Sequence, residues 1–214
     1  MDKKLLFKEV DHRLLNDPAP SAYLNELLAR GHLDQYPYTM LSGLKAVKQS
    51  PQHHPEGDVW NHTLMVVDIA AENKDRSKDR RVFMWSALLH DLGKLPATRI
   101  RRGRITAYDH DKLGAGLAQD FLMDLQEDEA FAERVRAMVR WHMQVLFVVK
   151  GLPFADIKGM LADLDLDEIA LLCYCDRMGR GGMDREKRSK EEENIQKFIS
   201  LVASSIPKAS WFID

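Results

Sequence analysis

Apolar residues along this chain recur mostly at helical spacing. From Glu129 onward Phe131, Val135, Met138, Val139 and His142 follow at intervals of 4, 3, 1 and 3, while Arg134, Arg136 and Arg140 take other faces. That pattern predicts an amphipathic helix that turns His142 inward. The run Val82-Phe83-Met84-Trp85-Ser86-Ala87-Leu88-Leu89 reads as an apolar helix, and it leads directly into His90-Asp91. A further helix starts near Val59 or Trp60 and carries Leu64, Met65, Val67 and Ile69 to about Asn73, with His62 in its first turns. Ser21 can cap a short helix bearing Leu24, Leu27 and Leu28, and Gly31 suits its end. Tyr108-Asp109-His110-Asp111 opens a helix through Phe121 and Leu122, whose Gly114, Ala115 and Gly116 permit close approach to a neighbour. A short helix is expected from about Phe154 to Leu161. Asp165 to Glu168 then offer a capping box to a helix whose stripe is Ile169, Leu172, Cys173 and Asp176. Almost nothing alternates with strand period, so the expected fold class is all-α.

Breaks in this pattern set the organisation. Pro51 to Asp58 is too rich in Pro and Gly to be regular and reads as a loop. Gly93 stops the apolar helix, Pro96 prevents its resumption, and Arg99, Arg101, Arg102 and Arg104 follow, with Lys94 upstream. This basic loop reads either as a solvated turn or as a phosphate-attracting rim. Beyond Gly179, Gly181 and Gly182 the chain becomes highly charged from Asp184 to Glu193. It then continues as an amphipathic helix with Ile195, Phe198, Ile199 and Val202, expected to dock its apolar stripe on the body. The final Trp211-Phe212-Ile213 is either packed down or a partner contact. The expected division is a helical lead-in over 1–50 without chemistry of its own, a core over 51–183, and a C-terminal helix and tail over 184–214.

Composition narrows the classes without choosing among them. With 214 residues, 45% of them hydrophobic and 30% charged, the chain can bury one sizeable core. A net charge of −2 gives no support for a general nucleic-acid or acidic-membrane binder. No signal peptide and no membrane span is read, so a soluble, cytoplasmic protein is expected. Cys173 and Cys175, two apart on a helix, point to nearly opposite sides and cannot pair with each other, which suits a reducing compartment.

The candidate chemistry lies in inward-facing polar residues. Taken alone, His62 reads as an ordinary core histidine. His90, Asp91, His110, His142 and Asp176, however, also fall near the ends of predicted helices, and a buried carboxylate such as Asp176 needs a cation. The set suffices for one divalent ion on His62, His90, Asp91 and Asp176, or for two ions sharing Asp91, with His110 and His142 completing the second. Mixed imidazole and carboxylate donors suit Mn, Fe, Ni, Co or Mg without selecting one.

The order His, His-Asp, Asp resembles the HD-domain metal-dependent phosphohydrolase superfamily, and His110 and His142 fit its two-metal members. The blocks His54-Pro55-Glu56-Gly57-Asp58-Val59, His62 to Asp68, His90-Asp91-Leu92-Gly93-Lys94 and Asp176-Arg177-Met178-Gly179-Arg180 are similar to the HD region of bacterial multifunctional CCA-adding tRNA nucleotidyltransferases, over roughly Tyr23 to Arg185. Residues 1–50 carry neither the Gly-rich turn nor the paired aspartates of those enzymes' catalytic head, so CCA addition is not expected. The resemblance implies an HD-domain helical bundle with a metal site in its core. It also implies a phosphohydrolase for 2′,3′-cyclic nucleotides, 2′-nucleotides or other small phosphate esters. In such an enzyme Asp91 is expected to orient a nucleophilic water and Lys94 to neutralise charge on the phosphoryl group, and His54, Glu56, Arg177 and Arg180 are candidates for contacting the leaving group or sugar. Two alternatives are a hydrolase of dinucleotide or RNA-end phosphates, favoured by the basic loop, and a non-catalytic, metal-stabilised binder of RNA or nucleotides. The oligomeric state is not read from the sequence.

Overall fold

The computed structural model describes residues 2–205, and the Trp211-Phe212-Ile213 tail lies outside them. The chain is all-α apart from one small hairpin. Two helices lead in, α1 (Lys3–Asn16) and α2 (Ser21–Ala29), followed by the single-turn α3 (Thr39–Gly43). Next come α4 (Val59–Asn73), α5 (Arg80–Leu89) and the short α6 (Lys94–Ala97), and then strands β1 (Arg99–Arg101) and β2 (Arg104–Thr106). The remaining helices are α7 (His110–Asp124), α8 (Glu129–Trp141), α9 (Gln144–Val149), α10 (Ile157–Asp163), α11 (Leu166–Met178) and α12 (Arg185–Ser205). No helix among the described residues is long and apolar enough to cross a membrane.

The core forms around α5. Every residue from Val82 to Leu89 is buried, as expected of a helix that is apolar all round. It is packed by α1, α4, α8 and α11. Asp79 starts α5 by accepting the Arg81 and Val82 amides at 3.0 and 3.1 Å, which satisfies donors that have no partner within the helix. Trp85 stacks on Phe7 with ring centroids 4.5 Å apart. Its indole N–H donates to Asp11, which also pairs with Arg81, so α1 is bolted to the central helix. Ile195, Phe198 and Val202 of α12 are buried; this docks α12 on the body as its apolar stripe predicts.

Several local expectations are corrected. Ser21 is the first helical residue rather than the cap; its hydroxyl and N–H both donate to Asp68, at 2.6 and 3.0 Å. The Asp165–Glu168 capping box does not form. Glu168 instead accepts from Ser77 Oγ and the Lys78 amide, and Asp165 pairs with Lys78, so both acids tie the segment before α5 to α11. The helix expected from Phe154 begins at Ile157, capped by Asp156, and α9 fills a stretch where no helix is predicted. The basic loop is an antiparallel hairpin pairing Arg99 with Thr106, Ile100 with Ile105 and Arg101 with Arg104. Its strands are too short to display a period of two, and its turn uses positive φ at Arg102 (50°) and Gly103 (75°), the geometry favoured in two-residue hairpin loops.

Two glycines bring the chain segments of the site together. A Cβ at Gly93 would stand 1.9 Å from the His110 carbonyl oxygen and 2.5 Å from the Gly114 amide nitrogen, so the turn after α5 rests directly on the start of α7. A Cβ at Gly179 would meet Val66 backbone atoms at 2.7 Å, which seats the end of α11 on α4. Of the small residues predicted to allow close approach, Gly114 does so, whereas Gly116 faces open space. Gly93→Ala is therefore expected to cost about 3 kcal/mol or more by backbone displacement. Gly116→Ala, by contrast, should stabilise by roughly 0.5–1 kcal/mol through helix propensity. Urea unfolding midpoints of the two variants check both signs.

Candidate metal centre

The buried polar residues converge from five helices. His62 lies in the first turns of α4, His90 and Asp91 follow α5, His110 begins α7, His142 follows α8, and Asp176 is near the end of α11. Each is 8% exposed or less. Asp91 is the hub. Its Oδ2 lies 3.3 Å from His90 Nε2 and 3.8 Å from His62 Nε2, and its Oδ1 lies 3.6 Å from His110 Nε2 and 3.9 Å from His142 Nε2. Asp176 Oδ1 adds a contact to His62 Nε2 at 3.0 Å. The structure thus brings together all six residues proposed as ligands from the sequence.

The ring orientations follow from helix ends. His90, His110 and His142 each donate Nδ1–H to the carbonyl three residues upstream, Ala87, Ala107 and Val139, at 2.9, 2.7 and 2.6 Å. At the ends of α5 and α8 these carbonyls belong to the last turn, where intrahelical donors run out. With the Nδ1 proton committed, Nε2 carries a lone pair. Three such lone pairs face a carboxylate, and those of His110 and His142 lie 3.2 Å apart. His90 Nε2 has no hydrogen-bond partner, and Asp91 Oδ2 takes the Lys94 charge at 2.7 Å without accepting a directed hydrogen bond. Acceptor faces acceptor among side chains largely removed from solvent, an arrangement that is costly unless a cation stands between.

Protonation tendencies point the same way. Burial, followed by the neighbouring His110 and His90, drives His142 down to about 3, and burial lowers His110 despite Asp91. Both are therefore neutral donors. Burial opposes ionisation of Asp91 and Asp176, yet the Lys94 charge beside the first, and the His62 hydrogen bond and Arg180 charge beside the second, hold both carboxyls well below the usual range. His62 is raised because Asp176 and Glu56 outweigh its burial; a cation bound there takes the place of its proton. Donor atoms around one divalent ion at about 2.1 Å lie roughly 3–4 Å apart. Two triads share Asp91, His62-His90-Asp91 and Asp91-His110-His142, each with its donor atoms within 4.8 Å of one another, and the second has all three spacings between 3.2 and 3.9 Å. The cluster fits a divalent metal site.

The cluster opens onto a cavity of about 460 Å³. His54, Asp91, Lys94, His110, His142, Asp176, Arg177 and Arg180 line it, with Gln49 and Glu191 among their neighbours. Glu56 does not, which corrects its assignment as a substrate contact. It is held behind His62, with Oε1 3.1 Å from His62 Nδ1 and 2.9 Å from His54 Nδ1, and Oε2 accepting from the Gly181 amide at 3.0 Å. Residues 1–50 are not without chemistry either. Gln49 is buried and accepts from Lys94 Nζ at 2.7 Å. Glu191 of α12 pairs with Arg177 at 3.2 Å and approaches Arg180 at 3.9 Å. Gln49 and Glu191 lack any spacing signal, because their roles arise from tertiary packing alone.

Comparison with known proteins places this geometry. The family model described as "HD domain" matches residues 59–178. The chain is 31% identical to the multifunctional CCA protein of Halorhodospira halophila over 181 residues, which is 80% of this chain and 41% of that protein. It is likewise 31% identical to the multifunctional CCA protein of Methylococcus capsulatus over 183 residues, 80% of this chain and 40% of that one. The chain therefore spans about two-fifths of the length of these relatives. The matched segment opens three residues before His62 and closes two after Asp176, so it encloses every residue that converges on Asp91; the chain belongs to the HD-domain family.

Proposed function

We propose that this chain is a divalent-metal-dependent phosphohydrolase acting on phosphate esters of nucleotides or similar small molecules, of the 2′,3′-cyclic phosphodiesterase, nucleotidase or phosphatase type. The observation that carries the reading is the set of Nε2 lone pairs aimed at Asp91 from opposite sides. His62, His90, Asp91 and Asp176 would hold one ion, and Asp91, His110 and His142 a second. A divalent ion held there would supply Lewis acidity, acidifying nearby water and withdrawing charge from a phosphoryl oxygen.

The remaining steps fall to residues around the cavity. Asp91 presents carboxylate oxygens to both triads and can accept a hydrogen bond that orients the attacking water. Lys94, fixed between Asp91 and Gln49 at 2.7 Å from each, is preorganised to offset charge that builds on the phosphoryl group. Arg177 and Arg180 line the cavity, and Arg180 Nε is buried without a partner, so both are suited to hold phosphate oxygens. His54 can hydrogen-bond the leaving group. Glu56 is a positioning residue that fixes the His62 ring from behind. The cavity volume suits a nucleotide-sized ligand.

Three outcomes are expected. Metal-stripped protein should release no phosphate from a panel of nucleotide esters and should regain activity with one or more of Mn, Fe, Ni, Co or Mg. Asp91→Ala should remain about 10³-fold or more below wild type in kcat under the same reloading. Inertness of the loaded wild type across the panel would sink the reading and leave a binding module. In thermal melts an ion at 100 times its Kd should stabilise the wild type by about 2.7 kcal/mol, and Asp91→Ala should show no such gain. Glu56→Gln should weaken metal affinity about 10–100-fold with the fold intact, measured by competition with a chromophoric chelator.

A further inference from the structure

The β1–β2 hairpin stands beside the cavity and is unusual in its charge. Cross-strand partners share one face of a two-stranded ribbon, and Arg101 is paired directly with Arg104, a like-charge juxtaposition that disfavours the hairpin on its own. Arg99 follows on the same face by alternation, and Arg102 occupies the turn. Most arginines elsewhere on the molecule are matched with acids, as in Arg134–Asp79, Arg136–Glu133 and Arg30–Glu26, although Arg76, Arg185 and Arg188 are not among the described residues. Among the described residues no carboxylate pairs with Arg101, Arg102 or Arg104. The nearest acid in sequence, Asp109, is taken by Lys112 at 2.8 Å. Tyr108, at the foot of the hairpin, is 63% exposed, with the Arg101 guanidinium 5.5 Å from its ring centre.

This arm joins the candidate site. Ile105, Thr106 and Ala107 line the same cavity as Lys94 and His110. Lys48 and Lys150, also without acidic partners among the described residues, stand on the rim. A strand of three residues extends about 10 Å, further than a single nucleotide in the cavity needs. Arg99 donates to the Pro96 and Thr98 carbonyls, but a row of guanidiniums without acidic partners beside an exposed aromatic ring has the make-up of a groove for single-stranded nucleic acid, in which cations follow the backbone and the ring stacks a base.

We propose that the hairpin binds the phosphodiester backbone of a single-stranded oligonucleotide whose phosphorylated end enters the cavity. This rests on the phosphohydrolase reading only for what happens to that end. The cavity admits a chain end and not a paired duplex, so the strand must be unpaired where it enters. A free mononucleotide would reach Lys94, Arg177 and Arg180 but leave the arm unused.

The test uses the full chain and its triple variant R101Q/R102Q/R104Q, whose changes lie on exposed residues away from the cavity wall. Fluorescence anisotropy is measured in chelator with a labelled ribohexanucleotide, its DNA counterpart, and both as duplexes. The wild type should bind the single strands over the duplexes, with affinity falling as salt rises at a slope of about 0.7 per phosphate engaged. The variant should bind about tenfold more weakly or worse, with a flatter slope, while R101K/R102K/R104K should recover most of the binding. With the ion restored, kcat/KM for a mononucleotide 2′,3′-cyclic phosphate should stay within about twofold of wild type in the glutamine variant, since the arm does not touch it. Equal binding by wild type and the glutamine variant overturns the proposal, as does a wild type that prefers duplex. Tighter capture of phosphatidylglycerol vesicles than of the hexanucleotide, lost in the variant, also overturns it and assigns the arm to a membrane surface. Hydrolysis is scored apart from binding: inertness toward every ester sinks the phosphohydrolase reading, while the arm stands or falls on the anisotropy.

Discussion

The structure depends on a confrontation of like with like at its centre. Three imidazoles spend their Nδ1 protons on backbone carbonyls and turn Nε2 lone pairs toward a carboxylate that is itself buried. Ordinary protein cores avoid this, because a buried acceptor without a donor costs roughly as much as several good contacts return. The cluster persists in the fold because each ring is fixed from behind by a hydrogen bond that local backbone geometry already provides. A cation held between the rings would convert the least favourable feature of the core into one that draws five helices together.

That arrangement explains why the ligating groups sit at helix termini and why the backbone closes so tightly around them. At the ends of α5 and α8 the last-turn carbonyls need donors, and the Nδ1–H groups of His90 and His142 supply them, so there capping the helix and aiming Nε2 are one act. Bringing termini of different helices within reach of a single carboxylate then requires backbones to touch. Gly93 against α7 and Gly179 against α4 are where they do. The second contact also places the Gly179 carbonyl 3.2 Å from His62 Nδ1, so the residue that permits the approach also helps set the ring.

The sequence made the helices and the inner cluster legible for the same reason. Burial imposes periodicity, and a histidine or aspartate on a buried stripe stands out against it, as His142 does after Val139 and Asp176 after Cys173. Less legible was whatever depends on partners far along the chain. Glu56 reads as a loop acid free to meet a ligand, but His54 of the same loop together with His62 and the Gly181 amide from other parts of the fold fill its oxygens. Glu168 matched a capping box in spacing, but the geometry gave it Ser77 instead. Gln49 carried no pattern at all, and only the pairing of Lys48 with Asp58 across the 50–57 loop sets it beside Lys94. The hairpin was hidden by brevity: three residues per strand cannot show an alternation, and the arginines masked the turn.

Two kinds of positive charge surround the cluster, and physics assigns them different work. Lys94 is gripped by Asp91 and Gln49, and Arg177 and Arg180 are tethered by Glu191. Charges held in place within a partly dry cavity reorganise little when a phosphoryl group gains charge, which is the condition for stabilising a transition state rather than a bound substrate. The hairpin arginines are solvated and lack acidic tethers. Their interactions are screened within about 10 Å at 0.1 M salt, so they can contribute little to the chemistry at Asp91, yet they suit capture and orientation of a polyanion arriving from solvent. On the proposed reading, the division between fixed inner charge and free outer charge would separate turnover from recognition, and it would let the hairpin vary in charge without disturbing the buried cluster.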